Sequence, residues 1–162
     1  MDTQVLIIGG GVTGTGLVRD LALRGIDCIL VEKQVLNAGA SGGNHGLLHS
    51  GARYIASDPA AAAECHRENL LLKKLAPHCI EDTGGLFVAV AGDDEAYIAD
   101  FPQMCSACGI PARPLTPTEA REMEPALSDR LIAAYAVDDA AIDPFKLSLD
   151  NMAAALQNGS HL

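Results

Sequence analysis

The chain has 162 residues, of which 49% are hydrophobic and 20% charged, with a formal net charge of −10. That apolar content excludes a disordered protein, and the length suits one globular domain with a packed core. The acidic balance, with no lysine or arginine cluster, offers no attraction to nucleic acid or to an anionic membrane surface, and no apolar run approaches the length of a membrane span.

In chain order, Val5 to Ile8 is a short apolar run with β-branched residues, which predicts a buried parallel strand covered on both faces. The glycines Gly9, Gly11 and Gly14 follow at dinucleotide-binding spacing. Gly9 supplies backbone angles closed to other residues, Gly11 leaves no side chain between backbone and pyrophosphate, and Gly14 lets the next helix lie close to the strand. Phosphates are expected at that helix's N-terminus, where unpaired N–H groups and the helix dipole favour an anion. Leu17 to Arg24 has helical periodicity, Gly25 is its C-cap, and Cys28 to Val31 is a second buried strand. It ends at Glu32, 18 positions after Gly14, where a carboxylate accepting from adenosine ribose hydroxyls is expected. An acid there would repel a 2′-phosphate and so disfavours NADP.

Asn37 to Tyr54 is a long glycine-rich segment without periodicity. A loop of this length inside a domain is usually functional, and Leu47, Leu48 and Tyr54 argue against a flexible linker because they need burial. Ser41, Asn44 and His45 offer short hydrogen-bonding groups beside a flat ligand. His45 and His49 have the helical spacing of a metal pair, but with no third ligand and a glycine-rich backbone no metal site is assigned.

Asp58-Pro59 caps an alanine-rich helix that runs to Leu75 and is stopped by Pro77. It is expected to pack on the nucleotide-binding domain. Gly84-Gly85 opens a strand over Leu86 to Ala91, and Asp93 to Cys108 reads as a helix interrupted, or begun afresh, near Pro102 and closed by Gly109. The stretch from Pro111 to Pro125 is proline-rich, with a short helix at Thr118 to Met123. Leu131 to Val137 is a strand, Asp138-Asp139 a turn, and a last helix runs from Phe145 to about Gln157 with Asp143 as N-cap, Pro144 at its start and Asn158-Gly159 as its stop. A third parallel strand beside the second is expected next. The five cysteines, without an export signal, read as reduced thiols of a cytoplasmic protein, and the Cys105-x-x-Cys108 spacing reads as structural.

The glycine turn, Val31-Glu-Lys33 and the run Ala40-Ser-Gly-Gly-Asn-His-Gly-Leu-Leu-His-Ser-Gly-Ala-Arg-Tyr54 together resemble the FAD-dependent glycerol-3-phosphate dehydrogenases of the D-amino acid oxidase superfamily, and within them the catalytic flavin subunit of the anaerobic enzymes. The resemblance continues through Cys79 and Asp143-Pro-Phe145. It implies an α/β fold of the FAD/NAD(P)-binding, Rossmann-like type, incomplete in this chain, with a flavin domain over residues 1–83 and 143–162 and part of an inserted substrate-binding region over 84–142. It also implies FAD contacts from Gly9, Gly11, Val12, Thr13, Gly14, Glu32, Lys33, Ala40, Ser41, Asn44, His45, Gly46, Leu47 and Leu48, and substrate contacts from Arg53 and Tyr54.

The implied reaction moves a hydride from C2 of sn-glycerol 3-phosphate to flavin N5, giving dihydroxyacetone phosphate. Electrons would pass to iron–sulfur and membrane-anchoring partner subunits and on to quinone, holding the protein peripherally at the inner face of the cell membrane. By resemblance to the aerobic enzymes the catalytic base lies beyond this sequence, which leaves the catalytic residues unassigned and the chain alone inactive. Two alternatives remain open: a related FAD enzyme acting on a 2-hydroxy acid or an amine, since Arg53 suits carboxylate as well as phosphate, and a non-catalytic module binding ADP-like groups or partners.

Overall fold

The computed structural model describes residues 2–161, which form two compact units: residues 2–46 with 142–161, and Leu47–Ala141. In the first unit, strand β1 (Val5–Ile8) pairs in parallel with β2 (Cys28–Val31), in register from Val5 opposite Cys28 to Ile8 opposite Val31. Helices α1 (Val12–Leu23) and α5 (Pro144–Gln157) complete it. Ile7, Cys28 and Leu30 pack with Val18 and Ala22 of α1 and Met152 and Ala155 of α5 into one core.

The opposite side of this sheet corrects the expectation of a strand covered on both faces. Side chains alternate along a strand, and Leu6, Ile8 and Val31 are 57%, 82% and 44% exposed. A run of four apolar residues signals affinity for cover without saying what supplies it. In place of the expected third strand, the described residues show one isolated bridge. His161 bridges Ile29 in parallel, donating from its N–H to the Cys28 carbonyl (3.2 Å) and accepting from the Leu30 N–H (3.0 Å).

Glycine ends both helices of this unit as expected. After α1, Gly25 (φ 71°) donates to the Ala22 carbonyl and Ile26 to that of Leu21, the paired bonds of a Schellman stop. Gly159 (φ 90°) and Ser160 repeat the pattern after α5, on Leu156 and Ala155. At the other end of α5, the Asp143 carboxylate accepts from the N–H groups of Phe145 and Lys146, both at 3.0 Å, and Pro144 occupies the first turn.

The second unit contains two small sheets. Strands β3 (Leu47–Leu48), β8 (Ala140–Ile142) and β4 (Ile80–Glu81) lie in the order β3-β8-β4, with Leu47 opposite Ala141 and Leu48 opposite Ala140. The larger sheet is antiparallel, β5 (Gly85–Val90), β7 (Leu131–Val137) and β6 (Ala112–Leu115), with β7 in the centre. Helix α2 (Pro59–Leu75), capped by Asp58 on the Ala61 N–H, belongs to the same compact unit, as do α3 (Glu95–Ala107) and α4 (Pro117–Met123). Phe101 of α3, 2% exposed, centres the core, stacks on Phe87 at 4.8 Å and meets the Tyr135 ring at a tilt, 4.9 Å between centroids.

Two elements differ from the sequence reading. Strand β6 contains Pro114, which the proline-rich composition hid. It is tolerated because β6 is an edge strand, where a missing N–H costs the ladder nothing on the open side. Helix α3 passes uninterrupted through Pro102, which has no N–H for the carbonyl four residues back. That carbonyl, of Ile98, accepts instead from the Tyr135 hydroxyl at 3.2 Å. Among the described residues no helix is long and apolar enough to cross a membrane.

Candidate functional site

The turn between β1 and α1 is built so that its backbone, not its side chains, faces outward. Gly9 sits at φ 110° and donates to the Val31 carbonyl at 2.9 Å, extending the pairing of β1 with β2 by one residue. A Cβ on Gly14 would collide with the Gly9 carbonyl oxygen, so the helix approaches the strand only with glycine there. A Cβ on Gly11 would lie 2.8 Å from the Ser41 hydroxyl oxygen. Gly11 is the N-cap of α1, no acid stands in the first turn, and Val12 and Thr13 are exposed at its start. The positive end of the helix dipole therefore meets no opposing charge from its own first turn, the condition an incoming pyrophosphate needs.

Glu32 is tied to this turn. Its Oε2 accepts from the Gly10 N–H at 2.7 Å and its Oε1 from the Gln34 N–H at 2.9 Å. These donors, Gly10 foremost, hold its carboxyl below the usual glutamate range, so it is ionised at neutral pH. Each carboxylate oxygen keeps a further lone pair after one bond, so the group that fixes the turn can also accept from a ribose hydroxyl. Lys33 beside it is exposed.

The start of the glycine-rich loop returns to the same place. The Ser41 hydroxyl accepts from the Val12 N–H at 3.0 Å, bringing the loop to the helix N-terminus. Asn44 closes a local turn, its amide donating to the Ser41 carbonyl and its Oδ1 accepting from the Gly46 N–H. Ala40 and His45 are exposed, and Gly46 is at φ 70°. The residue that sequence reading missed is Asn37. It is 3% exposed and is the one non-glycine among the described residues at positive φ (63°). Its N–H donates to the Gly10 carbonyl (3.0 Å), its amide to the Pro144 carbonyl (2.9 Å), and its Oδ1 accepts from the Ser148 hydroxyl (2.9 Å). One residue thus pins the loop to the glycine turn and to α5. The available signal was an asparagine before Ala-Gly, since asparagine is the side chain that best tolerates that backbone region.

The remaining site residues lie in the second unit. Leu47 and Leu48 form β3, Leu47 being 49% exposed. Arg53 and Tyr54 sit in a 3₁₀ turn over Ala52–Tyr54, with the Arg53 guanidinium carbon 5.4 Å from the Tyr54 ring centroid. The tyrosine is half-buried and the arginine exposed, which leaves the planar fork of donors available for an oxyanion. For FAD, then, the residues present fit: a glycine turn closed to other residues by φ at Gly9 and by close neighbours at Gly11 and Gly14, a helix start free of acids, and an ionised acid at the end of β2.

The comparisons with known proteins agree. The sequence model of the family described as FAD dependent oxidoreductase matches residues 4–162. An anaerobic glycerol-3-phosphate dehydrogenase subunit of Haemophilus influenzae is 48% identical over 162 residues, covering all of this chain and 29% of that protein. The chain thus spans less than a third of the length of this curated relative. Among solved structures, the L-alpha-glycerophosphate oxidase of Mycoplasma pneumoniae with FAD bound superposes with a TM-score of 0.82 at 26% identity, over 99% of this chain and 44% of that one. The L-proline dehydrogenase of P. horikoshii gives 0.86 at 25%, over 99% and 43%. From the matched family model, which covers nearly its whole length, and from the glycine turn at the start of that match, the chain belongs to the FAD-dependent oxidoreductase family.

Proposed function

We propose that this chain is the FAD-binding, N-terminal part of a dehydrogenase that oxidises sn-glycerol 3-phosphate to dihydroxyacetone phosphate. The observation that carries the reading is identity of 48% over all 162 residues to a protein named for glycerol-3-phosphate dehydrogenation. The alternative substrates have no comparable support, because the fold resembles a proline dehydrogenase as closely as a glycerophosphate oxidase.

In this reading residues 1–83 and 143–162 serve the flavin domain and 84–142 the substrate-binding region. The backbone at Gly9, Gly11, Val12, Thr13 and Gly14 holds the pyrophosphate against the α1 N-terminus. Glu32 would hold the adenosine ribose with Lys33 beside it, and Ala40, Ser41, Asn44, His45, Gly46, Leu47 and Leu48 would supply further contacts to FAD. Bound FAD supplies the hydride acceptor. Arg53 would bind the substrate phosphate by its two-pronged fork and Tyr54 would add a hydroxyl donor. That the relative is named as one subunit of its enzyme supports partners. Iron–sulfur and membrane-anchoring subunits would carry electrons to quinone, with this chain on the cytoplasmic side.

The test is a protein carrying this sequence, purified with its flavin and assayed with an artificial electron acceptor. Dihydroxyacetone phosphate formed from sn-glycerol 3-phosphate supports the reading. Flavin-loaded protein that turns over proline or a 2-hydroxy acid, but not the phosphorylated alcohol, refutes the substrate assignment.

A further inference from the structure

We infer that Asp139 is a positioning residue for the Arg53-Tyr54 turn, acting through the backbone of Ser50 and Gly51. The inference rests on the proposed role of Arg53 in holding substrate phosphate. Asp139 lies between β7 and β8, in a turn that the substrate reading otherwise leaves without a task. Its Oδ1 accepts from the Ser50 N–H at 2.6 Å, and its Oδ2 lies 3.9 Å from Nδ1 of His49. Ser50 is fully buried, so without this carboxylate its N–H would lose its partner.

The neighbours are arranged around that carboxylate. A Cβ on Gly85 would stand 2.8 Å from the Asp139 Cβ and 3.1 Å from Oδ2, so glycine at the start of β5 makes the room it occupies. From the other side, the fully buried Asn69 of α2 donates to the Leu48 carbonyl (3.1 Å) and to the Asp138 carbonyl (3.2 Å), joining the loop to the turn that carries Asp139. The next residue after Ser50, Gly51, is at φ 95°, and a Cβ on it would collide with the Ala62 carbonyl oxygen. Its own carbonyl accepts from the Tyr54 N–H at 2.9 Å and so opens the 3₁₀ turn. Leu48, Ser50 and Gly51 are each fixed, and the turn that presents Arg53 starts from the last of them. The carboxylate thus sets the position of a guanidinium through the backbone between them.

The experiment compares wild type, Asp139→Ala and Asp139→Asn in the flavin-loaded protein, with flavin content measured beside KM and kcat for glycerol 3-phosphate. Displacing a substrate-positioning group by a fraction of an ångström to one ångström costs up to about a hundredfold, so Asp139→Ala is expected to raise KM about tenfold at wild-type flavin content. Asp139→Asn keeps an acceptor for Ser50 and should recover most of that loss. An Ala variant that binds flavin and substrate as wild type does overturns the proposal, and so does an Asn variant as impaired as Ala. If Asp139→Ala does not fold, Gly85→Ala decides, because it displaces the carboxylate without removing it: raised KM supports the role and wild-type KM overturns it. Wild-type protein that holds flavin but does not oxidise glycerol 3-phosphate would instead remove the substrate reading, and this inference with it.

Discussion

Gly14 and Gly16 lie two residues apart in α1, and the structure assigns opposite signs to the same substitution at each. In a helix interior alanine is favoured over glycine by about 1 kcal/mol, chiefly through the unfolded chain. Gly16→Ala meets nothing within 4 Å and should realise most of that gain. Gly14→Ala drives its methyl group into the Gly9 carbonyl oxygen, a backbone atom of the turn that cannot rotate away. Overpacking of this kind costs about 1–3 kcal/mol, and a rigid backbone neighbour puts the cost at the upper end, so Gly14→Ala should be net destabilising by about 2 kcal/mol. The two variants should therefore differ by about 3 kcal/mol, read as denaturation midpoints at unchanged m-value. Gly14→Ala should also weaken FAD binding, since relief of the clash moves the helix N-terminus away from the strand. Equal stabilisation by both substitutions would refute the close approach of α1 to β1 and with it the structural argument for a dinucleotide turn.

Tyr135→Phe should cost about 1 kcal/mol or somewhat more by stranding the Ile98 carbonyl, and the cost should shrink when Pro102→Ala restores the helical N–H; a double-mutant cycle with no coupling would contradict it. Glu32 has its carboxyl lowered by the Gly10 and Gln34 N–H groups, so its contribution to stability is complete above the ordinary glutamate range and is lost as pH falls through its lowered value. Urea midpoints of wild type and Glu32→Gln, followed from about pH 6 to pH 3, should accordingly converge on acidification, and a constant gap would refute the linkage. Burial, with Cys108 adding to it, pushes the Cys105 thiol up to about 11. A thiol reagent at about pH 8 should label the half-buried Cys108 in the native protein and reach Cys105 only on unfolding, as peptide mapping would show.

The nucleotide-binding start was legible because several short-range signals coincide there: strand, glycine spacing, helix stop and acid all fall within Val5 to Glu32, and all are local in sequence. The helix caps at Asp58, Asp143, Gly25 and Gly159 were legible for the same reason. What escaped is non-local. Pro102 reads as a helix break until Tyr135, a residue of a distant strand, is seen to serve the freed carbonyl. Pro114 argues against a strand until β6 is known to be an edge. Leu6 and Ile8 look like residues covered on both faces because hydrophobicity records a preference for burial and not the presence of a neighbour. Asn37 and Asp139 are ordinary loop residues in one dimension. They acquire meaning only through Gly10 and Ser148 in one case, and Ser50 and Gly85 in the other.

The decisive measurement is anaerobic bleaching of the flavin in a protein that carries this sequence, offered sn-glycerol 3-phosphate, glycerol, L-proline and a 2-hydroxy acid in turn. If the glycine turn and Glu32 hold FAD and the Arg53-Tyr54 turn receives a phosphate, the visible flavin band should disappear with glycerol 3-phosphate at micromolar to millimolar concentration, while glycerol, lacking the phosphate, leaves it oxidised. Bleaching by proline or the hydroxy acid in preference to the phosphorylated alcohol, or a protein that holds no flavin at all, would contradict the proposed function.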